Sequence, residues 1–278
     1  MSVRIVIDST TDMIPELQGR VKVVPLSIRF GEEEYIDGVT INTTEFYEKL
    51  GNGGVLPTTS QPTPAAFADV YEEMVSAGDS VIVITIASKL SGTYQSATIA
   101  AEDYPGKVFV VDSRNVAIGA TILVQYALSL IDQGLGAEEI FERLLQIRPR
   151  VRLAAVVDTL EYLHKGGRIS KTVAVAGGLL AIKPIINVDA GELSMLNKAR
   201  GNKQANAVMN KEIDKMGGVD LDLPVLLGYT GTSDELLRKY IAESGEYWGG
   251  RTFPSTIVGS TVGTHAGPGA VAVAFFTK

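Results

Sequence analysis

The sequence contains no cysteine in 278 residues. That removes disulfides, thiolate metal sites and cysteine nucleophiles, and it fits a cytoplasmic setting. Histidine is nearly as scarce, with only His164 and His265 present, too few for a histidine-rich metal centre. Basic charge does not gather: 25 Lys and Arg stand against 32 Asp and Glu, for a net charge of −7. Nucleic acid and anionic surfaces are therefore poor main partners. No uncharged apolar stretch approaches the roughly 18 residues of a membrane-spanning helix. The opening "MSVRIVIDSTTD" reaches Asp8 too soon for the apolar core of a signal peptide, so a soluble, intracellular protein is expected. The chain also lacks the P-loop, dinucleotide-binding, zinc-protease, nucleophile-elbow and EF-hand patterns.

What is present is an α/β pattern. Apolar runs at 3–7, 80–87 and 107–112 alternate with helix-period segments at 64–77, 91–103 and 116–133, as expected of βαβ units around a mainly parallel sheet. Thr63 supplies an N-cap and Pro64 a first helical residue for the first of these helices. A further helix ends at Pro149, which sets the expected boundary between an N-terminal domain, 1–149, and a C-terminal domain, 150–278. In the second part, "VRLAAVVD" reads as a strand, and "KPIINVDAGELSMLNKA" as a hairpin turning at Ala190-Gly191. A helix at 201–216, a strand "PVLLGY", a helix from about Thr232 and two closing strands, "FPSTIVG" and "GAVAVAFF", complete a mixed α/β layer.

Three hydroxyl-rich segments fall where strands end or helices begin: "DSTTDM" (8–13), "PTTSQPTP" (57–64) and "SKLSGTYQSA" (88–97). In open α/β sheets ligands bind at the carboxyl ends of strands, where helix N–H groups favour an anion. Neutral hydroxyls there can hold a carboxylate or phosphate. Ser91, Gly92 and Thr93 make the sharpest case, because glycine lets backbone approach a ligand. Any one such loop is more often a helix cap than a binding loop; the three together shift the balance.

"LEYLHKGGRIS" adds Arg168 after a Gly-Gly turn, a planar donor fork suited to a carboxylate. His164 reads as a packed or solvated residue, and Lys183 as a strand-end lysine or a ligand group. "TVGTHAGPGA" sets His265 in what reads as a loop between glycine turns. A Ser91–His265 nucleophile and base pair is conceivable but lacks an orienting acid.

These segments, with "LLAIKPI", "ARGNKQA" and "VGTHAGPGA", occur in the order seen in the DegV family of bacterial fatty-acid-binding proteins, which the sequence resembles over almost its whole length. The resemblance implies a two-domain α/β fold whose N-terminal part is shared with dihydroxyacetone kinase. It also implies one long-chain fatty acid buried between the domains. Carried over by motif, the carboxylate-binding hydroxyls fall on Thr59 and Ser91, with Arg168 and His265 in support. The expected ligand-binding set is Thr59, Ser60, Ser91, Gly92, Thr93, Arg168 and His265, with no metal, no cofactor and no catalytic residue.

Family members act as carriers for a separate fatty-acid kinase, whose acyl phosphate feeds phospholipid synthesis; transient membrane contact is compatible with that role. "LGYTGTSDE" (227–235) departs from relatives, which often carry a histidine there. Leu179, Leu180, Ile182 and Ile185 are candidate tail contacts, with ordinary core the competing reading for each. The competing reading is a phosphotransferase-like enzyme or hydrolase acting on a small carboxylated or phosphorylated metabolite. A transcriptional or signalling module is disfavoured by the acidic balance.

Overall fold

The computed structural model describes residues 2–170 and 181–278. Elements are numbered in chain order. A parallel sheet is formed by β1 (Val3–Asp8), β2 (Val21–Val24), β6 (Ser80–Thr85) and β7 (Val108–Asp112), in the order β2-β1-β6-β7. Both faces are covered, which is why these strands read as unbroken apolar runs. Val6, Val81 and Val83 meet α2 (Pro64–Ser76) and α3 (Thr93–Ala101) on one side. Ile5, Ile7, Ile82 and Ile84 point the other way, toward α4 (Ile118–Asp132) and α5 (Ala137–Ile147). The Thr63 hydroxyl caps α2 by accepting from the Ala66 N–H, and Pro64 opens the helix.

A second, antiparallel sheet of β3 (Ser27–Phe30), β4 (Glu33–Ile36) and β5 (Thr58–Ser60) sits beside α1 (Thr43–Gly51), which begins with an Asn42–Glu45 capping box. Sequence periodicity assigns no elements here, because strands of three or four half-exposed residues leave too little alternation to read.

The third sheet has the order β10-β9-β8-β13-β11-β12, from β8 (Val151–Val156), β9 (Ile182–Asp189), β10 (Glu192–Arg200), β11 (Leu226–Tyr229), β12 (Ser255–Ile257) and β13 (Val271–Phe276). Its pairings are antiparallel except β11 with β12. The expected hairpin forms, with Ala190 and Gly191 both at positive φ (48° and 82°) between paired Asp189 and Glu192. One face of this sheet packs against α7 (Asn202–Lys215) and α8 (Glu235–Glu243), through Ala154, Val156, Ile185 and Val273. The other face shares a core with the parallel sheet. Helix α4 lies between them, and Ile122 and Leu123 join Ile7 and Ile84 to Leu226 and Phe276 in one apolar cluster. Between β8 and β9 comes the short helix α6 (Glu161–Lys165).

His265 does not occupy a loop. It lies in the last turn of α9 (Ser260–Ala266). The side chain of Asp12 accepts from the Gly259 N–H (2.8 Å), and Asp37 accepts from the Thr261 N–H and hydroxyl (3.3 and 2.6 Å). These bonds satisfy donors that a helix start otherwise leaves open. Gly267, at φ +68°, then ends the helix. A seven-residue helix held by carboxylates distant in sequence has no local signature.

Candidate functional site

Strand alternation builds the wall of a cavity between the six-stranded sheet and the first half of the chain. Leu153 and Ala155 on β8, Ile186 and Val188 on β9, and Ala272 on β13 face it, while their neighbours turn to the opposite core. Small side chains at Ala155, Ala270 and Ala272 leave the space open. The cavity proper has a volume of about 100 Å³, and its lining is mostly apolar. Ile185 is ordinary core and not a tail contact: one residue out of phase, it packs with Met209 and Tyr240 on the far face. Ile182 is half-buried and does not line the cavity. Leu179 and Leu180 lie outside the described residues.

The polar groups of the lining include Thr10, Thr59, Ser91, Arg168 and His265. Thr59 is the inward residue of β5, between exposed Thr58 and Ser60. Its hydroxyl oxygen lies 2.9 Å from His265 Nε2. Ser91 precedes α3; its hydroxyl pairs with that of Thr93 at 2.9 Å and accepts from the Thr93 N–H at 3.3 Å. Arg168 donates from Nε to the Leu90 carbonyl (3.1 Å) and from Nη1 to the Gly166 carbonyl (2.6 Å). Its Nη2 has no acceptor among the described residues. Asp8, fully buried, accepts from the N–H groups of Thr10 and Ile86 (2.9 and 2.7 Å). It thereby ties the first hydroxyl-rich turn to the end of β6, and burial raises its carboxyl above the usual range.

The protonation of His265 follows from its surroundings. Burial, with Arg168 nearby, pushes its pKa down to about 4, so the ring is neutral near pH 7. Its Nδ1 is buried without a partner. An orphan acceptor costs less than an orphan N–H, which puts the single proton on Nε2, donating to Thr59. The threonine hydroxyl hydrogen is then free to point into the cavity. Gly166 permits this packing, since a Cβ there would lie 2.2 Å from His265 Nδ1.

Of the expected set, Thr59, Ser91, Arg168 and His265 converge on one cavity. Thr93 supports Ser91 from a buried position, Gly92 lets the Gln61 side chain pass closely, and Ser60 is exposed on the outer face of β5. Lys183 pairs with Asp158. His164 is half-buried and its Nδ1 has no partner. The His265 ring serves Thr59 and not Ser91, so the two do not form a nucleophile and base pair in this geometry. Thr10, Thr230 and Thr261 also line the space; only Thr10, inside "DSTTDM", had a signal in the sequence. Among the described residues no group of three or more His, Asp or Glu side chains is arranged to hold a metal ion, and no helix is long and apolar enough to cross a membrane.

Comparison with known proteins agrees with this architecture. A DegV domain-containing protein of Caldanaerobacter subterraneus subsp. tengcongensis is 37% identical over 281 residues, covering 99% of each chain. Among solved structures, a DegV family protein from Thermus thermophilus described for its fatty-acid binding superposes with a TM-score of 0.88 at 31% identity, covering 100% of both chains. A stearic-acid-binding protein from Eubacterium ventriosum gives 0.87 at 29% identity, covering 100% of this chain and 99% of the other. The family model described as "Uncharacterised protein, DegV family" matches residues 2–278, and the chain belongs to the DegV family.

Proposed function

We propose that this protein binds a long-chain fatty acid, with the tail in the apolar cavity and the carboxylate at Thr59 and Ser91. The observation that carries the reading is the grouping of Thr59, Ser91, Arg168 and His265 in a cavity whose remaining wall is mainly aliphatic. The tail would gain roughly 0.8 kcal/mol per buried CH₂ before ordering costs. A buried carboxylate needs donors to offset its lost hydration; the hydroxyls of Thr59 and Ser91 would supply them, supported by Arg168 Nη2, which has no acceptor among the described residues. His265 acts through Thr59, fixing which way that hydroxyl donates. The solved relatives described with fatty acids support the same ligand class.

The protein then serves as a carrier that presents the head group to a separate fatty-acid kinase in the cytoplasm. It needs no cofactor and performs no catalysis of its own, and it meets membranes only in passing. Two units divide near Pro149 in this reading, with the ligand between them. Mass spectrometry of protein purified without added lipid, intact and after solvent extraction, tests the binding step. A stoichiometric fatty acid, depleted in a Thr59→Ala/Ser91→Ala variant, is the expected result. An empty protein that also fails to take up added fatty acid refutes it. Kinase-coupled acyl-phosphate formation, compared with direct lipid affinity in Arg168→Ala, tests presentation separately.

A further inference from the structure

The turn that leads from β7 into α4 bends against the preference of its own sequence. The Gly119 N–H donates to the Val116 carbonyl (3.0 Å), closing a four-residue turn with Ala117 at its first central position, at φ 53° and ψ −137°. Those angles match a type II′ turn, whose first central residue is normally glycine. Of the four non-glycine residues at positive φ among the described residues, Arg114, Ala181 and Ala190 are exposed. Ala117 alone is buried, at 4% exposure.

The bonds around it account for the conformation. The Ala117 N–H donates to the Thr10 carbonyl (3.0 Å), and its own carbonyl accepts from the N–H groups of Ala120 and Thr121 (3.0 and 3.1 Å) and from the Thr121 hydroxyl (3.2 Å). Glycine would make every one of these bonds with less strain. What alanine adds is the methyl group. Ala117 lines the apolar cavity, and with its N–H and carbonyl both engaged, the methyl is the group it presents there. A Cβ on Gly228 would lie 3.2 Å from the side chain of the next residue, Ile118. Gly228 pairs with Ala272, which pairs in turn with Ala155. The start of α4 thus meets the six-stranded sheet at the row whose small side chains keep the cavity open.

We infer that Ala117 is a specificity residue of the acyl-chain site, its methyl narrowing the cavity at the Ala155–Ala272 row so that straight chains are favoured over chains branched at that depth. The inference rests on the fatty-acid reading above. A packed apolar wall discriminates one extra methylene by about 10-fold to 200-fold, so a backbone held in a glycine conformation for the sake of one methyl has a measurable return.

The test is calorimetric titration of delipidated wild type and Ala117→Gly with palmitic acid and with a series of monomethylhexadecanoic acids branched at successive mid-chain carbons, beside urea unfolding. Ala120→Gly is the control for a loosened helix, because Ala120 is buried in α4 and outside the cavity lining. Wild type should prefer palmitic acid to at least one branched isomer by about tenfold or more. Ala117→Gly should lose most of that preference while its urea midpoint rises. Ala120→Gly should lower the midpoint and keep the wild-type preference. Palmitic acid bound with the preference unchanged in Ala117→Gly overturns this assignment alone, as does wild type that binds all the acids equally. A lowered midpoint in Ala117→Gly, or the same loss of preference in Ala120→Gly, also overturns it. Wild type that takes up none of the acids overturns it together with the fatty-acid reading.

Discussion

Replacing Thr59 by valine keeps the β-branched shape that suits β5 and removes only the hydroxyl. Two losses follow from the geometry. In the complex, the fatty-acid carboxylate loses one hydrogen bond to a charged group, worth about 1.5–3 kcal/mol. At about 1.4 kcal/mol per decade, that is a rise in Kd of between about 10-fold and about 100-fold. In the free protein, the buried Nε2–H of His265 loses its acceptor at 2.9 Å, which costs about 1–3 kcal/mol of stability.

The assay is calorimetric titration of delipidated protein with one fatty acid, beside urea unfolding of the same samples. Ser91→Ala is the comparison, because it weakens binding without touching the histidine. A Thr59→Val protein that is folded and binds within twofold of wild type refutes the head-group assignment. One that is as stable as wild type refutes the proposed direction of the Thr59–His265 bond.

The neutrality of His265 has a sign in pH. Its folded pKa near 4 lies below the usual value of 6.5, so the unfolded chain takes the proton first. The contribution is complete above about pH 6.5 and is lost on acidification toward pH 4, by about 3 kcal/mol in total. Asp12, raised to about 7, acts in the opposite sense, so the readout is the difference in urea midpoint between wild type and His265→Gln, which should shrink from pH 7 to pH 4.5.

Gly166→Ala has an ordinary helical φ of −75°, yet its Cβ falls 2.2 Å from His265 Nδ1. It should destabilise by about 1–3 kcal/mol through overpacking and lose that penalty in the His265→Ala background. Ala155→Leu projects into the cavity and should shift the extracted fatty acids to shorter chains, read by mass spectrometry, with unfolding stability at or above wild type.

Long, doubly buried strands and helices with clear caps were legible: β1, β6, β7, α2 and α4 lie within a few residues of where periodicity puts them. The hairpin was legible from Ala190-Gly191. Residues 21–60 were not, because β3 to β5 are short and carry charges on exposed faces. The hydroxyl segments pointed to loops that border the cavity, but which hydroxyl faces inward depends on strand phase, and phase separated Thr59 from Ser60 and Ile186 from Ile185. The helix bearing His265 depends on Asp12 and Asp37, more than 220 residues away in sequence, so no local pattern could reveal it.

Strand β13 follows both of its neighbours in chain order and sits inside its sheet, between β8 and β11. During synthesis the parallel sheet can assemble early, but β8 and β11 have no partner across that gap until residue 276 has left the ribosome. Until then, α4 exposes the surface that later meets the third sheet. The nascent chain therefore presents a sticky apolar face and two open strand edges for the whole time that its second half is being made. Dependence on a chaperone during expression, and aggregation of chains shortened before Val271, are the practical consequences of placing the keystone strand after both its neighbours.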